Sequence, residues 1–102
     1  MKINFTVHNI AVTPPLRDYA EEKLIRLKKH FNRIINVDII FSVEKLSQIV
    51  KATISAPGAK FHADSSSEDM YNSIDALVDK LDRQIKDHKK KHNDNHRAGT
   101  AE

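Results

Sequence analysis

Cations at helical spacing are the residues of this sequence best suited to chemistry. Between Asp69 and His92, Arg83, Lys86 and Lys90 fall on one side of a helical wheel, with Lys89 in the same basic run. Upstream, Arg26, Lys29 and Arg33 recur in steps of three and four. Phosphates repeat along a nucleic-acid helix, so evenly spaced Lys and Arg on a rigid scaffold can match them without reading sequence. From Arg83 to Arg97 six cations stand against two acids, more than complementing a helix dipole requires. The plain alternative, a solvated basic face with no partner, has to be weighed against an anionic ligand.

Other chemistry finds less support. His88, His92 and His96 recur at four-residue spacing, which could set imidazoles on one helix face for Zn²⁺ or Ni²⁺. No Cys, Asp or Glu motif completes such a site. His88 and His92 also continue the apolar stripe past Ile85, where neutral rings would cap a core. No metal or other cofactor is therefore expected. With Gly58 and Gly99 the sole glycines there is no phosphate-cradling loop, and no Ser or Thr lies in a nucleophile motif. The absence of cysteine removes disulfides, thiolate ligands and thiol nucleophiles. These features predict a protein that is not an enzyme and takes no small-molecule substrate.

At 102 residues, 39% hydrophobic and 30% charged, the chain suits one globular domain with a net charge of +3. No apolar run approaches the ~20 residues of a membrane span, and MKINFTVHN lacks the apolar block of an export signal. No membrane partner is expected, and the location expected is cytoplasmic.

The elements that must carry the cations follow from periodicity. Ile3, Phe5 and Val7 alternate with polar residues from Lys2 to His8, a half-buried strand. Thr13-Pro14-Pro15 opens a helix, with Thr13 at the N-cap, which should run to about Asn32. Leu16, Ala20, Leu24, Leu27 and Phe31 form its buried face, and Lys23 and His30 lie at the apolar boundary. Ile25 points outward without explanation. Strands are expected at Val37–Glu44, Gln48–Ala56 and Lys60–Asp64, the last two joined by the Pro57-Gly58 turn. Ser65-Ser66-Ser67 with Glu68-Asp69 should cap the second helix, whose stripe of Met70, Ile74, Leu77, Val78, Leu81 and Ile85 faces the core.

The order β-α-β-β-β-α predicts an α+β fold, a four-stranded and mostly antiparallel sheet with both helices on one face. The first strand can join the meander only beside a parallel neighbour, through a helical crossover. Helices on a small antiparallel sheet grip RNA by shape in double-stranded-RNA-binding domains, which this layout resembles. The exposed sheet face lacks the aromatic pairs that stack single-stranded bases, so recognition should fall to the helices.

The run Phe61–Lys91 resembles the end of the ribosome hibernation-promoting factors, the sigma-54 modulation or ribosome-associated inhibitor family. Its most specific piece is Asp69-Met70-Tyr71, then Ile74-Asp75, Lys80-Leu81 and Gln84. Leu16, Arg17, Lys23, Leu27, Phe31 and Arg33, followed by Val43-Glu44-Lys45, fit the same family. The resemblance implies a stress and stationary-phase protein that occupies the mRNA and tRNA channel of the small ribosomal subunit and blocks translation. By position it implies that Lys23, Arg26, Arg33, Arg83, Lys86, Lys89 and Lys90 face rRNA. With Lys29 from the first helix, these make the expected rRNA-binding set. Asp69 should support the helix start and Tyr71 should pack.

The length leads to the expectation of the short hibernation-promoting type, which favours paired, inactive ribosomes and is a monomer off the ribosome. Residues 1–92 would be the ribosome-binding domain and 93–102 a disordered tail. The competing expectation is a protein-binding regulatory module, for example a transcription-factor modulator, acting without RNA contact.

Overall fold

The computed structural model describes the backbone of residues 1–98 and the side chains of residues 1–90. Six elements follow one another: β1 (Lys2–His8), α1 (Pro14–His30), β2 (Asn36–Glu44), β3 (Ser47–Ala56), β4 (Ala59–Ser67) and α2 (Met70–Ala98). The strands form one sheet in the order β1-β2-β3-β4. β1 runs parallel to β2, with Ile3 opposite Val37 and Phe5 opposite Ile39. The two following pairs are antiparallel. This is the expected α+β layout.

Period-2 alternation decides which sheet face is covered. Val37, Ile39, Phe41, Val50, Ala52, Ile54 and Phe61 are buried on one face. Against them pack Leu16, Ala20, Leu24 and Leu27 of α1, and Met70, Ile74, Leu77, Leu81 and Ile85 of α2. Each fully buried large aliphatic stabilises by about 1.5–3 kcal/mol, so the helices are held chiefly by this shared layer. The other face is polar: Asn4 Nδ2 donates to Asp38 Oδ1 at 2.9 Å, and Thr53 Oγ1 meets His62 Nδ1 at 3.0 Å.

Thr13 caps α1 as its sequence predicts, accepting from Leu16 N at 3.4 Å, and a proline follows at the first helical position. The helix ends at His30, slightly before Asn32, because Phe31 turns its ring into the core. The Phe31 N–H still bonds back to the carbonyls of Leu27 and Lys28. Gly58 closes the β3–β4 turn at φ +71°, a left-handed conformation that costs glycine little.

β4 is longer than its sequence suggests. Ser65, Ser66 and Ser67 pair with Val50, Ile49 and Gln48, and so extend the strand rather than cap the helix. The cap is Asp69, whose Oδ1 accepts Tyr71 N–H at 2.8 Å. Serine suits a turn or a cap as readily as a strand, and the partner strand continuing to Gln48 decides the outcome here. Buried Ser73 then ties α2 to the sheet by donating to the Gln48 carbonyl at 2.7 Å.

Further along α2, Lys80 Nζ donates to the Asp64 carbonyl at 2.7 Å and Gln84 Nε2 to that of His62. These bonds fill acceptors on the outer edge of β4, the side a foreign strand would need. α2 continues through Ala98, past the His92 boundary read from periodicity. Apolar periodicity reports burial, and a helix can outrun its buried stripe. Residues 99–102 of the expected tail lie outside the described residues. No described helix is long and apolar enough to cross a membrane.

Candidate nucleic-acid interface

α1 and α2 lie side by side, and their outward flanks meet in a groove that changes character along its length. Its first section, of about 270 Å³, has Leu27 and Val78 as apolar lining. Lys23, Arg26 and His30 contribute from α1, and Asp75, Asp79 and Asp82 from α2. Most of the cations here already have counter-charges.

Lys23 Nζ lies 3.8 Å from Asp75 Oδ1 and 5.3 Å from the Tyr19 ring centroid. The Tyr19 hydroxyl donates to the same carboxylate, and this bond raises the phenol above its ordinary pKa. Tyr71 packs edge-on to Tyr19 at 5.0 Å, the packing role its sequence position suggested. Arg26 meets Glu22 at 3.3 Å, Arg83 meets Asp79 at 3.2 Å and Lys86 meets Asp82 at 2.9 Å, each one helical turn apart. The Lys86 hydrogen bond is the main cause holding the Asp82 carboxyl below its ordinary range, opposed by partial burial.

The second section is a notch of about 380 Å³ where α1 ends. It is lined by Lys29, His30, Phe31, Asn32, Arg33, His88 and Lys89. Lys29 and Arg33 are exposed, and neither forms an ion pair among the described residues. Lys89 Nζ donates to the His30 carbonyl at 2.8 Å, placing a cation on the negative end of α1. Lys90 is exposed on α2 and likewise forms no ion pair among the described residues.

The eight expected cations therefore divide. Lys29, Arg33 and Lys89 converge on one concavity that carries no carboxylate among the described residues of its lining. Lys23 and Arg26 line the acid-bearing groove, Arg83 and Lys86 lie against acids of their own helix, and exposed Lys90 lines neither section. Sequence reasoning passed over His30, which lines both sections. Its signal was present: it falls one turn after Arg26 and directly follows Lys29.

His88 is half-buried, as its place in the apolar stripe suggested, and lies edge-on to Phe31 at 6.1 Å and to Phe61 at 5.5 Å. The side chains of His92 and His96 lie outside the described residues. Among the described residues, no group of three or more His, Cys, Asp or Glu could hold a metal ion.

Comparison with known proteins agrees with the fold. The sequence pattern of the family described as "Sigma 54 modulation protein / S30EA ribosomal protein" matches residues 3–93. A protein of Pseudomonas putida named ribosome hibernation promoting factor is 53% identical over 91 residues, which is 89% of each chain. Its namesake in Azotobacter vinelandii is 50% identical, covering 89% of this chain and 85% of its own. A solved ribosomal subunit interface protein from Coxiella burnetii superposes with a TM-score of 0.83 at 37% identity, over 87% of this chain and 98% of that one.

Proposed function

This chain belongs to the sigma 54 modulation protein / S30EA ribosomal protein family, and we propose that it is a ribosome hibernation factor whose helical face grips rRNA of the small ribosomal subunit. Bound in the mRNA and tRNA channel, it blocks translation by occupancy, without catalysis, and favours inactive paired ribosomes in stress or stationary phase. Its place of action is then the cytoplasm. Family membership supports the ribosome as target. The observation that carries the mode of binding is the notch at the end of α1, where Lys29, Arg33 and Lys89 gather with no carboxylate among the described lining residues.

Physically, the shared core fixes the two helices and the helices fix the cations. A backbone-gripping contact needs a rigid array of charges, and two helices seated on one sheet face through a single shared core supply it. Lys90, Arg83 and Lys86 extend the array along α2. The last two must leave their own acids, or share them, to reach phosphate.

Co-sedimentation with purified small ribosomal subunits tests the proposal. If four or five phosphates are neutralised, log affinity falls against log salt with a slope near about −3 to −4. Binding indifferent to salt contradicts the rRNA grip.

A further inference from the structure

His30 stands at the junction of the two sections of the groove. Its Nδ1 lies 3.5 Å from Asp82 Oδ1, an oxygen shut off from solvent and without a hydrogen bond. The other carboxylate oxygen is already taken by Lys86 at 2.9 Å. An imidazole that is 58% exposed can gain a proton from solvent and offer Nδ1–H to that waiting oxygen.

Charges on every side decide when this happens. From α1, Arg26 and Lys29 flank the ring, and from the following turn Arg33 does. From α2, Asp79 and Asp82 face it on the groove side, and His88 and Lys89 on the notch side. Asp79 is engaged by Arg83. A phosphate entering the notch would bring negative charge beside the imidazole and screen Lys29, Arg33 and Lys89 from it, favouring the protonated ring in the complex.

We propose that His30 is a further RNA-binding residue, contacting backbone phosphate as the imidazolium while Asp82 anchors its Nδ1 side. The inference rests on reading the notch as a phosphate grip. Binding RNA then takes up a proton at His30, and by linkage lower pH strengthens binding.

The test measures binding of the full chain to purified bacterial small ribosomal subunits at about pH 8 and about pH 6, spanning the ordinary histidine range. Wild-type affinity should rise about fivefold on acidification, and its log–log salt slope should steepen by about 1. His30→Gln should lose most of that gain, measured as the ratio of its own affinities at the two pH values. His8→Gln, altering an exposed histidine of β1 that lines neither section of the groove, should keep it. Titration of the subunits themselves cancels in the difference between wild type and His30→Gln. If His30→Gln, folded by circular dichroism, keeps the full acid gain, the assignment of His30 is overturned and the phosphate grip stands. If wild type binds at neither pH, both fall.

Discussion

The two ends of the helix pair carry similar numbers of cations and differ in what surrounds them. Beside the first half of α2, Lys23, Arg83 and Lys86 each face an aspartate, and Arg26 faces Glu22 on its own helix. Where α1 ends, Lys29 and Arg33 face no acid among the described residues, and Lys89 rests on a backbone carbonyl that still leaves its charge uncancelled. Counting basic residues on a helix therefore overstates the field it offers a polyanion. Exposed pairs one turn apart contribute little stability, about 0.3–0.5 kcal/mol, yet each lowers the charge available to a ligand. At the compensated end Lys23–Asp75 also ties one helix to the other, and the open end is the part proposed to meet phosphate.

The severest way to break this contrast is to remove the platform beneath both ends. Leu77→Ala opens a cavity among fully buried neighbours and should cost about 2–5 kcal/mol in urea unfolding. An unchanged unfolding midpoint would mean that the helices do not depend on a common core.

Next in size is reversal at the open end. Lys29→Glu with Arg33→Glu should weaken small-subunit binding by about 100-fold, with the fold unaltered by circular dichroism. At the compensated end, Arg83→Gln with Lys86→Gln should change the same affinity by only about threefold. Equal losses from the two pairs would erase the distinction drawn here.

The smallest effect concerns acid stability. Lys86 holds Asp82 below its ordinary range, so the folded state binds that proton less readily than the unfolded chain does. The stabilisation is complete above the ordinary aspartate range, about pH 4, and fades as pH falls through the lower folded value. Urea midpoints of wild type and Asp82→Asn should therefore differ at neutral pH and converge on acidification. A difference that grows toward low pH would contradict the direction of the shift.

Much of the scaffold was legible in the sequence because burial leaves a period. Ile3 and Phe5 in β1, Val37, Ile39 and Phe41 in β2, and Met70, Ile74, Leu77, Leu81 and Ile85 in α2 all lie on the side their spacing indicates. Exposed Ile25 shows that the same pattern also exposes its exceptions. What escaped was settled by partners distant in sequence. Ser65–Ser67 became strand because β3 offered them backbone bonds, while Asp69 supports the start of α2 as expected. The cations on the helices were readable from composition, but their pairing was not. Lys23–Asp75 and His30–Asp82 join residues of different helices, and only folding makes them neighbours.

A structure of the chain bound to a small ribosomal subunit tests the central claim most directly. The account predicts rRNA phosphates within ion-pair distance of Lys29, Arg33 and Lys89, with the carboxylates of Asp75 and Asp79 turned away from RNA. Density for rRNA lying against the polar sheet face, or filling the acid-lined groove while the notch stays in solvent, would contradict it.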